Sequence, residues 1–495
     1  METHRKKYLI IGVIVAAIII SAVFGYSIAT QPKVPSSVVP TQPKVPSSVV
    51  PIVNRIESSS FGQITEFKLP TPDRWPNAPY VDKDGSIWFG EWGLPGLAHF
   101  LPWNMTLIEY PIPLSNKSTA QPGFNFKVSI WSVVRAGNYI WATLMEYNQI
   151  VALDPATSKY IFFTLPEGYE SPYTLAVSPQ GSVWFTMISS IPYLGEILPN
   201  MSLIIRQVET KDFQIPSSIL FVNKTEAYFT GISLSTYKSY LYRFNPSENS
   251  KVIVPEIVKD VNLTAANAMS FSEGTLWITE HGPTDIVSYN LSDSKLRVYP
   301  TSLNTLTNTA LPYFIVSSAK NVYFNEHYGN KIAVLTNGVH LTEYSVSNPP
   351  AENISAIDNV LTLALGKDAV WFTSVTSNYI GFLNLSSKPN FDISLQGTRD
   401  ITLAPSSNLT LKFVVSGKWS KPLNISFSDT ENFTGSPRLI SFKPSINQIQ
   451  AGSGNFTFNV TIGASNDIKP GLYTAAVTVD DGLVYQSEYI FITIP

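Results

Sequence analysis

Ile87-Trp88-Phe89-Gly90 is a short apolar run around one aromatic residue, and the chain repeats it six more times. The copies read Ile140-Trp141-Ala142-Thr143, Val183-Trp184-Phe185-Thr186, Ala227-Tyr228-Phe229-Thr230, Leu276-Trp277-Ile278-Thr279, Val322-Tyr323-Phe324-Asn325 and Val370-Trp371-Phe372-Thr373. Their aromatic residues lie 53, 43, 44, 49, 46 and 48 residues apart. A period of this length marks a repeat architecture in which each unit buries its face against the next. A turn pair precedes the run, as in Asp84-Gly85, Gln180-Gly181 and Glu273-Gly274. A second β run follows it, as in Asn330–Leu335 and Tyr379–Leu383, and then an outer one, as in Leu107–Pro113 and Leu341–Tyr344. Four short antiparallel strands, repeated seven times with no competing helical period, predict a seven-bladed β-propeller over residues 62–387.

The register also predicts how the ring closes. Ile64–Pro70 reads as an outer strand with no unit before it, and the seventh unit has three strands and lacks its outer one. The N-terminal strand is therefore expected to complete the last blade and remove two free sheet edges. Residues 390–495 leave the repeat. The alternating runs Leu409–Val415, Phe456–Ile462, Tyr473–Val479 and Tyr489–Ile494 predict an immunoglobulin-like β-sandwich, so the fold class is all-β.

Upstream, Arg5, Lys6 and Lys7 precede an uncharged apolar run over residues 8–29. A helix of that length spans roughly 33 Å, enough for a hydrocarbon core of about 30 Å. The basic flank places residues 1–7 in the cytoplasm and the bulk of the chain outside, at the cell membrane. The small residues Ser27 and Ala29 leave a cleaved signal peptide and a secreted chain as the alternative. Thr30–Pro40 is repeated without change as Thr41–Pro51. Proline at this density favours extended polyproline II, so residues 30–60 are expected to form a stalk.

Composition narrows the function. Charged residues make up 14% of 495 residues and the net charge is −3, which leaves no basic field for nucleic acid. The absence of cysteine excludes disulfides, thiol nucleophiles and thiolate metal sites. Thirteen Asn-x-Ser/Thr sequons, at Asn104, Asn116, Asn200, Asn223, Asn262, Asn290, Asn353, Asn384, Asn408, Asn424, Asn432, Asn455 and Asn459, suggest a glycan coat in place of solubilising charge.

Ile64–Asp73, Pro76-Asn77-Ala78, Asp84–Gly93, Ile108–Pro113, Trp277–Glu280 and Asn330–Ile332 together resemble the streptogramin B lyase (virginiamycin B lyase) family over about residues 62–387. The resemblance implies a seven-bladed propeller of this register. It also implies an elimination that opens a cyclic depsipeptide, with one histidine at the start of an innermost strand as general base and a second histidine with a glutamate holding Mg²⁺. The equivalent positions here, ten to twelve residues before each aromatic anchor, hold Asn77, Trp131, Tyr173, Ser217, Asn267, Tyr313 and Asn359. None is histidine. Tyrosine, with a pKa near 10, is a poor base at neutral pH. The lyase activity therefore does not transfer.

Two groups of candidate residues remain. The seven inner-ring residues offer an uncharged, aromatic, hydrogen-bonding surface suited to a sugar or peptide, or they fill the tapering channel. Glu280-His281 and Glu326-His327 fall at one place in neighbouring units, and Glu91 falls there in the first. This pattern suits one divalent metal (Mg, Mn, Zn or Fe) or an acid–base pair on His281 and His327, or else is a loop-capping consensus. His99 and His340 stand alone. The leading expectation is a membrane-anchored extracellular propeller that binds a glycan, a peptide or an envelope protein. The alternatives are a metal-dependent lyase or hydrolase using Glu280, His281, Glu326 and His327, and a structural envelope protein.

Overall fold

The computed structural model describes residues 47–495 apart from 115–128, 190, 212–213, 234, 260, 283–284, 303–309, 348–359, 376 and 431–438. The expected membrane span at 8–29 and the first copy of the duplicated segment lie outside the described residues. Among the described residues no helix is long and apolar enough to cross a membrane.

Seven antiparallel sheets form a β-propeller. Their innermost strands, blades 1 to 7 in order, are Pro76–Val81, Val133–Ala136, Pro172–Val177, Ile215–Phe221, Ala266–Ser272, Pro312–Ser318 and Val360–Leu365. Each aromatic run is the second strand of its blade. Its residues are buried on both faces because neighbouring blades pack on either side. We call the face where the innermost strands begin the upper face, and the face with the turns joining strands one to two and three to four the lower. Ile64–Lys68 pairs with Tyr379–Asn384 from Ile64↔Leu383 to Lys68↔Tyr379, and so supplies the outer strand of blade 7. Blade 4 departs from the repeat. Its outer position is filled by two short pieces, Glu256–Ile257 and Leu263–Thr264, while Val252–Ile253 crosses to pair in parallel with Gln207–Val208 of blade 3.

Residues 47–61, most of them expected to belong to the stalk over 30–60, pair with the propeller instead. Ser47–Ser48 pairs with the outer strand of blade 2, Ile52–Arg55 with that of blade 1, and Ser58–Phe61 with Ile64–Lys68. Edge strands leave a row of unpaired backbone groups, and this segment satisfies them on three blades in turn. Proline content alone did not reveal this. Pro51 sits between two pairing segments, where its missing N–H costs nothing.

Nor is the C-terminal unit detached. Its last strand, Val484–Ile494, pairs antiparallel with His340–Ser345, the outer strand of blade 6, from His340↔Glu488 to Tyr344↔Val484. One continuous sheet therefore runs from the channel out into the C-terminal unit. A second sheet is built from Phe391–Gln396, Asn408–Trp419, Gly452–Ala464 and Ile440–Pro444. Phe413, Val415, Phe458, Val460, Val477 and Ile490 fill one core that is continuous with Tyr323 and Ile332 of blade 6. His340, solitary in sequence, bridges this junction. It meets Gln486 at 2.8 Å, Asp392 at 3.2 Å and Glu488 at 3.4 Å.

Candidate functional site

The upper mouth of the channel holds the residues singled out from the sequence. In six of the seven innermost strands the register shifts at the same place: Asn77/Tyr80, Pro172/Leu175, Pro216/Ser218, Ala266/Met269, Pro312/Ile315 and Val360/Thr362. A bulge re-aims one side chain and frees a backbone N–H. The bulges take in the ring residues Tyr173, Ser217, Asn267 and Tyr313; in blade 1 Asn77 still pairs with Gly90 and the bulge follows it at Ala78 and Pro79. In blade 7 the bulge falls at Leu361, ten residues before Trp371. The seventh ring position is thus Leu361, and the expected Asn359 lies two residues too early, outside the described residues.

The fourth residue of the repeated run explains itself at this point. Its Thr or Asn accepts the N–H that the bulge releases: Thr174 N–H donates to Thr186 Oγ1 (3.1 Å), Ala268 N–H to Thr279 Oγ1 (3.0 Å) and Phe314 N–H to Asn325 Oδ1 (2.7 Å). The same side chains reach the next blade. Thr279 Oγ1 donates to the Tyr313 carbonyl (2.9 Å), and Asn325 Nδ2 donates to that of Val360 (2.7 Å). In blade 1 Gly90 takes this place, where a Cβ would lie 2.4 Å from Ile130. There Asn77 Nδ2 and Trp92 Nε1 donate to the Ile130 carbonyl instead. A buried bulge N–H left unpaired costs about 1–3 kcal/mol, so these contacts are a condition of the fold. The repeat displayed this ring of Thr143, Thr186, Thr230, Thr279, Asn325 and Thr373 openly. Reading it only as β pattern missed its role.

The ring side chains bond to one another and do not present an open surface. The Tyr173 and Tyr313 hydroxyls are 2.6 Å apart. Asn267 Nδ2 donates to the Tyr313 carbonyl (2.8 Å), and Ser217 Oγ donates to that of Ala266 (3.2 Å). Thr362 Oγ1 donates to Asn77 Oδ1 (2.7 Å). Trp131 packs on Tyr173 and Tyr313 with centroids at 5.4 and 6.4 Å. Below the ring is a cavity of about 110 Å³, lined by Trp131, Tyr173, Asn267, Tyr313 and Thr362 among others. Ligand pockets usually run to roughly 300–1,000 Å³. Burial pushes the Tyr173 hydroxyl up to about 12, and burial with the neighbouring Tyr173 pushes Tyr313 well above the usual range. Neither is a base at neutral pH.

His281 and His327 do come together. Their Nε2 atoms lie 2.6 Å apart, the rings are parallel within 10°, and Tyr313 packs edge-on to both. One Nε2–H donates to the other ring's bare nitrogen. The pair is buried, at 4% and 2% exposure, and burial lowers the His281 pKa to about 4. The backbone places them. Ala265 and Leu311, just before the innermost strands, take left-handed φ values of 51° and 50°, and their carbonyls accept from His281 N–H and His327 N–H. Trp75 and Ser171 (φ 53° and 52°) hold Trp92 and Ile188 the same way in blades 1 and 3. A position filled elsewhere by tryptophan and isoleucine is a packing position over the ring.

The carboxylates do not join the imidazoles. Glu280 Oε1 accepts from Thr264 N–H, and burial raises its pKa to about 8. Glu326 faces Lys331 Nζ at 3.5 Å. That ammonium also meets Glu343 at 3.4 Å, the Ser302 hydroxyl, and the Tyr485 ring at 3.9 Å. Burial and then Glu343 push the Glu326 carboxyl well up. Glu91 lies 3.9 Å from Arg74, which is 2.7 Å from Glu109. Burial and then Glu109 raise Glu91 as well. Among the described residues no three His, Asp or Glu side chains gather as a metal set. The expected ligand set of Glu91, Glu280, His281, Glu326 and His327 is thus not assembled. Each carboxylate serves its own blade, and the two imidazole nitrogens are bonded to each other. Magnesium prefers an octahedron of oxygen ligands, so this donor set does not fit it.

Of the thirteen sequon asparagines, Asn116, Asn353 and Asn432 lie outside the described residues. Asn290 is half-buried, and Asn104, Asn200, Asn223, Asn262, Asn384, Asn408, Asn424, Asn455 and Asn459 are exposed.

No protein-family profile and no curated protein sequence matches the chain. Among solved structures it is similar to virginiamycin B lyase from Staphylococcus aureus, with a TM-score of 0.52 and 19% identity, covering 65% of this chain and 99% of that one. A catalytically inactive form of that enzyme with quinupristin gives a TM-score of 0.52 at 17% identity, covering 65% and 99%. The likeness establishes the propeller fold that the sequence resemblance implied. At this identity it carries the fold alone.

Proposed function

We propose that this chain is a membrane-anchored extracellular β-propeller that binds a glycan, a peptide or an envelope protein through its outer surfaces, and that it does not turn over a substrate at the hub. The observation that carries this reading is the self-bonded ring. Every ring side chain from Asn77 to Tyr313 packs on or bonds to another part of the hub, leaving about 110 Å³ beneath. An enzyme acting there would need an open pocket, a base poised near neutral pH and a place for the substrate. The tyrosines are held protonated and the histidines are bonded together.

The segment at 8–29 supplies the anchor and the proline-rich residues before Ser47 supply the spacer. The C-terminal unit, read as an immunoglobulin-like sandwich, extends blade 6 away from the channel. The test uses the full chain in detergent or lipid nanodiscs. It is incubated with a cyclic depsipeptide and Mg²⁺ beside an active streptogramin lyase, and in parallel offered to glycan and peptide arrays. The expected result is no linearised product, and saturable array binding that is unchanged in Tyr313→Phe. Linear depsipeptide formed by this chain, or array binding abolished by Tyr313→Phe, would overturn the reading.

A further inference from the structure

The turn that follows the third strand repeats around the lower rim in six blades; blade 6 instead turns through Asn337 and Gly338, both left-handed at φ 53° and 63°. In blades 1, 3, 5 and 7 it reads Asn104-Met-Thr106, Asn200-Met-Ser202, Asn290-Leu-Ser292 and Asn384-Leu-Ser386. In each, the Asn Oδ1 accepts the backbone N–H two residues on, at 3.2, 3.1, 2.9 and 2.9 Å. In blades 5 and 7 the serine hydroxyl donates to the same oxygen at 2.7 Å. Blades 2 and 4 build the same turn with different chemistry. Asp154 Oδ1 accepts from Ala156 N–H (3.0 Å), and Asn245 Oδ1 accepts from Ser247 N–H (3.0 Å) across Pro246.

The two exceptions separate what the fold needs from what it does not. The turn needs a side-chain oxygen at its first residue, and aspartate supplies one as well as asparagine. It tolerates proline in the middle. An asparagine, a non-proline and a hydroxyl residue in that order exceed the requirement of the turn, and four blades have all three. The turn pins Oδ1 inward. Among the described residues Nδ2 of Asn104, Asn200, Asn290 and Asn384 has no hydrogen-bond partner. Asn223, on a neighbouring lower turn, differs: its Nδ2 donates to Glu226 at 3.2 Å.

We infer that Asn104, Asn200, Asn290 and Asn384 form a ring of N-glycan acceptors on the lower rim, leaving the upper face and the C-terminal unit for contacts with partners. The reading rests on the blades lying outside the membrane. The donor is an oligosaccharide linked through phosphate to a lipid carrier. The bond from Nδ2 to the first sugar carbon forms and that carbon's bond to the phosphate oxygen breaks. The lipid phosphate leaves with the electron pair, and the amide nitrogen gives up one proton. Sugar hydration on one face suits a chain with only 14% charged residues.

The test is glycopeptide mass spectrometry on the full chain purified from the organism that makes it, with protease added to intact cells as a separate arm. Sugar at the four rim asparagines and none at Asn223 is expected. Asn384→Asp should keep the turn, leave the melting temperature unchanged and remove one glycan. Ser386→Ala should also remove that glycan. Bare rim asparagines with sugar on the strand asparagines 408, 455 and 459 would overturn the inference. A chain bare throughout, yet cut by external protease, would overturn it while leaving the outside location intact. Blades protected from protease would overturn the location and the inference together.

Discussion

The hub and the rim of this propeller are built by opposite means. At the hub, seven copies of one motif place side chains at equivalent points, and those side chains close the channel by bonding around the ring. At the rim, the blade edges are finished by segments that belong to no repeat. Ser47–Ser48, Ile52–Arg55 and Ser58–Phe61 come from before the repeat, Val252–Ile253 from a long excursion within it, and Val484–Ile494 from the far end of the chain. The hub is therefore held by buried side-chain hydrogen bonds and the rim by backbone pairing. The difference teaches where each is vulnerable: the hub to single substitutions, the rim to loss of whole segments.

The largest effect should come from cutting the chain after Leu385. This removes Val484–Ile494 from the edge of blade 6 and strips the shared core from Tyr323, Ile332 and Val346. Each fully exposed Val, Ile or Tyr side chain costs about 1.5–3 kcal/mol, so uncovering these three removes a large share of the usual 5–15 kcal/mol stability of a domain. The truncated chain is expected to be insoluble or to lose its cooperative melting transition, followed by circular dichroism. A truncated propeller that melts like the full chain would break the comparison, because the rim of blade 6 would then need no partner.

The contrast also sets what the sequence disclosed. Spacing of the aromatic anchors gave the propeller and the ring positions within a residue, except in blade 7, where counting back twelve instead of ten selected Asn359 over Leu361. The pairing of His281 with His327 was legible because both follow the same strand in adjacent units. What they do was not. Glutamates beside them suggested a shared metal site, but side chains alternate across a strand, so Glu280 and Glu326 face away from the histidines that follow them. Rim pairing was illegible for a different reason. A two-residue edge strand such as Ser47–Ser48 has no period to detect, and its partner lies more than a hundred residues away. The five turn sequons, Asn223 included, illustrate a third kind of limit. Their asparagines cap turns, so their number alone says less about glycans than their departures from what the turn requires.

A smaller effect should follow from opening the hub. Trp131→Ala removes the indole that packs on Trp92, Tyr173 and Tyr313 and enlarges the existing cavity. Large aromatic to alanine changes in a core cost about 3–5 kcal/mol. Urea unfolding should show that loss with an unchanged dependence on denaturant, since the blades still unfold together. Tyr313→Phe deletes only the hydroxyl bonded to Tyr173 and should cost about 1 kcal/mol, which separates the hydrogen bond from the packing. If Trp131→Ala costs no more than Tyr313→Phe, packing does not close the ring, and the hub is instead a flexible mouth.

The last effect, seen only when the pH is changed, concerns a proton on the residue before His281. Burial raises the Glu280 carboxyl from 4.5 to about 8, against the opposing hydrogen bond from Thr264 N–H. The folded chain therefore holds this proton more tightly than the unfolded chain. Stability is fully present below about pH 4.5 and falls as the pH rises through the folded value near 8. Glu280→Gln keeps an acceptor for Thr264 N–H and carries no ionisable proton. The variant should match the wild type near pH 4 and exceed it at pH 9, by on the order of 5 kcal/mol in urea unfolding. The comparison also separates hub from rim. Glu280→Gln lies in the blade interior, so the share of the pH-dependent loss that Glu280 carries should disappear from the propeller transition, leaving that of Glu91 and Glu326, with no change in the pairing of Val484–Ile494 on blade 6. Equal pH dependence in wild type and variant would mean that Glu280 is ionised and hydrated in the folded chain. A charged carboxylate would then stand in the blade interior, and the case against a charged group near the hub would fail with it.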